Sequence, residues 1–391
     1  MSEFENPRPS LRVDEVLSFL SRNYGLSGNC SSLDSERDQN FLLSSEKGSF
    51  VVKISNVSEE ASLLELQTAV LQHISKTDPG IGIPVLIPAL NGSCLLTIDS
   101  SQGCHYFRVL EYLEGRQYYV ARQDDPSASL GLLMGRISKV LFGFGHAAAF
   151  RPEFRWNLDN FSSLADWVQF IQSPDRREVV QRVFERYSQR VAPVLHRLRA
   201  GVVHNDANDH NVIVNEGGSA WALIDFGDLC FGRVINELAV TLAYALLDVP
   251  DIFATARSVI ENYCSVFPLQ ELEAEVLFDL VAARLATSVC ISSRRNAGAI
   301  ADPYFLVSQE PAFRLLELLD QTNPDLLRAI SRKLCGFAAV GSAPEVAKWL
   351  SSSECRPAEV FGFSLNRSPR ILLQMKEGAP GAEYPESADD S

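Results

Sequence analysis

The chain has 391 residues, of which 46% are hydrophobic and 21% charged, with a formal net charge of −14. A length of this order leads to two domains or two lobes, each with enough apolar material for a core. The acidic balance excludes a general binder of nucleic-acid backbones, which needs a basic surface, and fits a protein kept in solution by its charge.

Residues 1–11 read as a flexible N-terminus. The opening "MSEFENPRPS" is polar and acidic and has no apolar signal core. No apolar run approaches the ~18 to 20 residues of a membrane span. The eight cysteines form no CxxC pair. The expectation is therefore a cytoplasmic protein with reduced cysteines and neither a membrane nor a nucleic-acid partner.

Val13, Val16, Leu17, Leu20 and Tyr24 then follow helical spacing. Short strands are expected at "NCSSL", "QNFLLSS" and "SFVVKIS", the last two joined by a turn at Glu46–Gly48. A helix follows from about Glu59, with Ser58 as its cap and Leu63, Leu66, Val70 and Ile74 as its buried stripe. The strands "CLLTI" and "HYFRVLEYL" complete a mostly antiparallel sheet. Residues 12–113 thus read as a small α+β N-lobe.

From Gly115 the pattern turns helical, near 127–147, 162–172, 176–198, 233–248, 252–264, 270–292 and 311–337, with Pro193 kinking or ending the third. Residues 114–340 form the expected C-lobe. Residues 341–376 read as an extension and 377–391, which hold little apolar content, as a disordered tail.

The strand signals of the C-lobe flank one segment, "GVVHNDANDHNVIV", followed by "WALIDFGD". A strand, turn and strand between Asn211 and Asp225 bring an amide oxygen and a carboxylate to neighbouring points. Such a pair suits Mg²⁺, which prefers oxygen ligands and completes its shell with phosphate oxygens. Asp206 lies just upstream, where it can accept the proton of an incoming hydroxyl. The joint pattern HxDxxxxN, strand, turn, strand, D-F-G points to phosphoryl transfer: Asp206 as base, Asn211 and Asp225 as metal ligands. His204 is expected to hold the loop through backbone near Asp225. His210 reads as a solvent-facing loop residue.

A site of this kind calls for an upstream lysine on the nucleotide phosphates, and Lys53 in "FVVKIS" supplies it. Glu65 is the expected carboxylate partner of that lysine. No GxGxxG precedes Lys53, so the loop Ser35–Asn40 must cover the phosphates instead, with Ser35, Gln39 and Asn40 as donors. Backbone near Glu111 and Leu113 is expected to meet the nucleotide base, and Gly115 to bend the chain into the C-lobe. For the acceptor pocket the candidates are Asp228, Glu237 and Asp279 facing amines, with Trp156, Asn157, Arg284 and Arg294 as walls or carboxylate contacts.

"HNDANDHNVIV" with "IDFGD" resembles the aminoglycoside phosphotransferase and choline kinase superfamily, whose bilobal fold is like that of protein kinases. The closer likeness is to the hydroxylysine kinases, carried by "NDHN" at 208–211, "DFGD" at 225–228, "RDQNF" at 37–41, "VVKISN" at 51–56 and "WNL" at 156–158. The resemblance spans about residues 12 to 335. It implies a kinase acting on a small hydroxyl compound, most closely 5-hydroxylysine, with Mg²⁺ and a nucleoside triphosphate, and it tilts the donor toward GTP over ATP. Other small alcohols, such as aminoglycosides, choline or homoserine, are the alternative acceptors; a non-catalytic nucleotide binder is the second alternative. Two residues depart from the family's loop: Asn205 stands where a glycine is usual, and Ala207 replaces a bulkier apolar residue. Asn tolerates a left-handed backbone better than most residues.

Overall fold

The computed structural model describes residues 8–35, 37–297 and 303–340. The described residues as far as Phe337 belong to one compact unit. The expected N-lobe, and the expected C-lobe as far as residue 337, fall inside that unit. The expected extension at 341–376 and tail at 377–391 lie outside the described residues, as do residues 1–7.

Helix α1 (Val13–Tyr24) buries Val16, Leu20 and Tyr24, one every fourth residue, and ends on Gly25 at φ +61°. It covers one face of a five-stranded antiparallel sheet ordered β1-β2-β3-β5-β4. Its strands are β1 (Asn29–Leu33), β2 (Gln39–Ser45), β3 (Gly48–Ile54), β4 (Leu96–Ser100) and β5 (Gly103–Glu111). Phe41, Leu43, Phe50, Val52 and Ile54 point at α1 and form a core with it. The two-residue period of a strand then turns Asn40 and Lys53, which are register partners, to the opposite face. Helix α2 (Ala61–Thr77) buries Leu66, Val70 and Ile74 in the larger core shared with the helical half. Ser58 does not cap α2: the helix starts after Glu60, and the Ser58 hydroxyl donates to Asn56 Oδ1 at 2.9 Å.

The N-terminal expectation also changes. Residues 8–11 are described and held: Gln39 accepts from Leu11 N and donates to Leu11 O, both at 2.9 Å.

The helical half holds β6 (Arg116–Gln117), α3 (Tyr118–Ala121), α4 (Ser127–Leu141), α5 (Pro174–Arg186), β7 (Ala200–Val203), β8 (Val212–Val214), β9 (Ala220–Leu223) and β10 (Cys230–Arg233). It continues through α6 (Ile235–Ala245), α7 (Ile252–Val266), α8 (Glu271–Asn296), α9 (Pro303–Gln321) and α10 (Pro324–Leu334). The strands form two small sheets, β10-β7 and β6-β8-β9. Four helical expectations are corrected. The helix expected to residue 147 stops at Leu141, where Phe142 is extended and Gly143 has φ +94°. The segment near 162–172 is a 3₁₀ stretch, Leu158–Phe170. Helix α5 gives way to a π turn, Tyr187–Val191, ahead of Pro193. The single helix expected over 311–337 is two, because Asn323 caps α10 and Pro324 opens it. Helix α8 is long and apolar enough to cross a membrane, but 89% of its most apolar window is buried inside the protein, which is the pattern of a core helix.

Candidate active site

The segment between β7 and β8 is fixed from both ends. Strand β7 pairs Val203 with Cys230 of β10, and β8 pairs Val212 with Leu223 of β9. Ile224 N donates to Asn211 O at 2.9 Å, while Ile224 O lies 3.2 Å from His204 Nε2. One residue before Asp225 is therefore fastened to the first and last residues of the loop 204–211. Asp225 itself adopts a left-handed backbone, φ +59°.

Within the loop Asn205 has φ +68°, the conformation that a glycine occupies without cost and that Asn tolerates. Its buried amide donates to Trp156 O at 3.3 Å. Beneath it, Glu237 of α6 accepts from His204 N at 2.6 Å. Burial pushes the Glu237 carboxyl up to about 7 and His204 down to about 4.

Asp206 is held by three side chains. Asn208 Nδ2 donates to both of its oxygens, at 3.1 and 3.0 Å. Asn211 Nδ2 donates to Asp206 Oδ2 at 2.7 Å and to its backbone O at 2.9 Å. Arg284 Nη2 donates to Oδ1 at 2.9 Å. Burial raises the Asp206 carboxyl well above the usual range, the neighbouring Asp228 raises it further, and Arg284 opposes both.

Lys53 Nζ lies 3.0 Å from Asp225 Oδ1, and the lysine is the main cause that holds Asp225 below the usual carboxylate range. Half of the Asp225 side chain, 51%, remains open. Beside Lys53, Asn40 Oδ1 is buried with no hydrogen-bond partner among the described residues. Asn211 spends its amide N–H groups on Asp206, which leaves its Oδ1 as an acceptor. An open anionic carboxylate, a free amide oxygen and a lysine are a set suited to a hard divalent cation with phosphates. The described residues contain no cluster of three or more His, Cys, Asp or Glu able to hold a metal by themselves.

Several expected residues stand elsewhere. Glu65 is exposed on the outer side of α2, and Lys53 pairs with Asp225 instead. The acid turned inward at the start of α2 is Glu59, half-buried, its carboxyl raised by burial and lowered by Arg37. Gln39 faces α1 and is spent on Leu11. Glu237 serves the loop backbone from below and is only 1% exposed, so it lines no acceptor pocket. Asp279 pairs with Arg190 at 3.1 Å, Arg294 covers the Phe170 ring, and Asn157 donates to Phe231 O at 3.2 Å; all three are structural. Ser35 is half-buried in the loop before β2. Asp228 is near enough to Asp206 to raise its carboxyl and is itself raised by burial against the opposing charge of Arg151.

Glu111 N is spent on Val85 O at 2.8 Å and Tyr112 N on Ser49 O at 3.0 Å. Glu111, Tyr112, Leu113 and Glu114 border a pocket of about 540 Å³ with the β2–β3 turn, Ile87 and Trp221. That pocket includes none of Lys53, Asp206, Asn211 or Asp225.

Sequence reasoning missed the residues that act through other residues. Gln117 Nε2 donates to His210 O at 3.0 Å, Tyr119 N donates to Asp209 O at 3.0 Å, and the Tyr119 and His210 rings lie 4.4 Å apart. Arg122 pairs with Asp209 and donates to Tyr244 O at 3.0 Å. Asp209 and His210 thus dock the loop on the segment that follows the inter-lobe linker. Asn208 braces Asp206, and Asp38 Oδ1 accepts from Asn56 N at 3.0 Å, tying the loop before β2 to the end of β3. The signal for Asn208 and Asp209 was the "NDHN" spelling; nothing marked Arg122.

The pattern of the phosphotransferase enzyme family matches residues 30–262. Hydroxylysine kinase of Danio rerio is 29% identical over 338 residues, which cover 81% of this chain and 94% of that protein. The hydroxylysine kinase of Xenopus laevis is 29% identical over 361 residues, 84% of this chain and 95% of that protein. Among solved structures, an amicoumacin kinase bound to AMP-PNP and Ca²⁺ superposes with TM-score 0.60 at 16% identity, covering 80% of this chain and 95% of its own. A microcompartment-associated aminopropanol kinase gives TM-score 0.56 at 15% identity, covering 84% and 100%. At such identities the solved structures establish the bilobal α+β fold alone.

Proposed function

This chain belongs to the phosphotransferase enzyme family, and from that premise we propose a small-molecule kinase that moves the γ-phosphoryl group of GTP or ATP to a hydroxyl of an amino-acid-like acceptor. The acceptor we favour is 5-hydroxylysine, because relatives at 29% identity over more than nine-tenths of their own length carry the name hydroxylysine kinase. The setting proposed is the cytoplasm.

One observation carries the reading: Asn211 bonds Asp206 through its amide at 2.7 Å while its backbone O receives Ile224 N, next to Asp225. A base and two oxygen ligands are thus linked within a few bonds. In the reaction proposed, Asp206 orients the acceptor hydroxyl and takes its proton as the oxygen attacks phosphorus. Lys53, released from Asp225, neutralises phosphate oxygens, with Asn40 beside it. Asn211 Oδ1 and Asp225 would hold Mg²⁺, which when bound supplies charge neutralisation to the phosphates. His204 stays neutral and holds the backbone of the loop. Asp228, next to Asp206, suits an acceptor ammonium. Backbone near Leu113 is proposed for the nucleotide base. Placement and fixed charge do most of the work, as phosphoryl transfer permits.

The test is purified protein with Mg·GTP or Mg·ATP and a panel of hydroxy amines. Turnover of 5-hydroxylysine above lysine-free alcohols supports the reading. Turnover of an aminoglycoside, choline or homoserine with 5-hydroxylysine inert would move the acceptor and leave the kinase assignment in place.

A further inference from the structure

The segment Gly201–Val214 contains no lysine or arginine, yet Asp206 has a guanidinium bonded to it. Arg284 comes from the middle of α8, where Leu280, Val281, Ala282, Ala283, Leu285 and Ala286 are all buried. It is itself 1% exposed. Its Nη2 donates to Asp206 Oδ1 at 2.9 Å and its Nη1 to Trp156 O at 3.4 Å. Its Cζ lies 4.6 Å from the Trp156 ring centre and 5.4 Å from that of Tyr244. A buried cation on an apolar helix costs several kcal/mol to desolvate and is a poor source of stability, so its retention calls for another reason.

Two roles compete. An arginine beside the base could read an acceptor carboxylate, but that needs an accessible guanidinium, and this one is sealed beneath Trp156 and already bonded to Asp206. We infer that Arg284 is a positioning residue for the phosphoryl-transfer base, a fixed cation carried by α8 that anchors Asp206 Oδ1. This rests on the kinase reading above. Asn208 shares one amide between both oxygens, and Asn211 takes Oδ2. Among the described residues Arg284 is thus the one charged donor on the carboxylate, and its bond sets the direction of the group. In the step itself the acceptor O–H proton passes to Asp206, the O–Pγ bond forms, and the bond from Pγ to the bridging oxygen breaks, that oxygen keeping the electron pair as the nucleoside diphosphate leaves. Arg284 donates hydrogen bonds throughout and gives up no proton.

The experiment uses R284K and R284Q, each checked by thermal melting for a folded state, with kcat, acceptor KM and nucleotide Kd measured beside wild type. A positioning role predicts a kcat loss of ~100-fold or more, the scale of a 1 Å misplacement, with acceptor KM and nucleotide Kd within about threefold. It also predicts that methylguanidinium restores part of the kcat lost in R284A. A loss carried by acceptor KM would instead make Arg284 a reader of the acceptor, and kcat within threefold of wild type would make it a packing residue; either overturns the inference and spares the kinase reading. Wild-type protein inert toward every acceptor would remove both.

Discussion

Lys53 and Asp225, 172 positions apart in sequence, are joined at 3.0 Å across the cleft between the sheet and the helical half. In the kinase reading proposed, the pair closes the site electrostatically until phosphates and a divalent cation take the two partners apart. On that reading phosphates would compete with Asp225 for Lys53 and a cation with Lys53 for Asp225, so nucleotide and divalent cation would bind together.

It follows that GTP or ATP raises the melting temperature only when Mg²⁺ is present, because a ligand stabilises by binding the folded state. Differential scanning fluorimetry checks this. K53M weakens the nucleotide response and lowers turnover by ~100-fold or more, the range for loss of an electrostatic donor at a reacting centre.

Glu65 makes the opposite prediction. It is exposed and has no contact with Lys53, so E65A leaves kcat and nucleotide Kd within about twofold of wild type. Surface changes of this kind also stay within ±0.5 kcal/mol in stability, measured by chemical denaturation.

Asn205 at φ +68° separates two substitutions. N205G keeps the backbone conformation and loses only the bond to Trp156 O, whereas N205A must force a Cβ with no compensating amide into the left-handed region, at a cost of roughly 1–2 kcal/mol. Melting temperatures should therefore order wild type and N205G above N205A, with turnover falling in the same order.

Glu237 titrates near 7 in the fold against an ordinary 4.5, because burial disfavours its charged form. A carboxyl with a raised pKa contributes stability that is present below about 4.5 and is lost as pH climbs through about 7. The expected size is on the order of 3 kcal/mol, at ~1.4 kcal/mol per unit. The stability difference between wild type and E237Q should thus shift against wild type from pH 4.5 to 7.5 and level off above. A difference independent of pH over that window would mean that Glu237 is charged throughout.

The β2–β3 hairpin was legible because buried positions alternate along both strands, so "QNFLLSS" and "SFVVKIS" each have one apolar face and fall in place to within a residue. Helix ends were less so: Leu141 and Gln321 stop helices where backbone at Gly143 and Asn323–Pro324 intervenes, a local effect that apolar spacing does not register. In the candidate site, Asp206, Asn211, Asp225 and Lys53 were readable as neighbours, because the chemistry proposed calls for those residue types at nearly fixed spacing. Gln39 and Glu65 misled because strand and helix phase decides which way a side chain points: a shift of one position carried Gln39 to the α1 face, and helical phase turned Glu65 outward. Arg122 was out of reach, since its value lies in a tertiary contact with Asp209, 87 residues away; Arg284 was legible as a site residue, but not as the partner of Asp206, 78 residues away.

The most direct test of the phosphoryl-transfer site is turnover and nucleotide affinity of D206A measured on the same preparation. The account predicts that transfer to the best acceptor is abolished while nucleotide Kd with Mg²⁺ stays within severalfold, because Asp206 meets the acceptor and not the phosphates. Retained turnover, or turnover lost together with nucleotide binding, would contradict it.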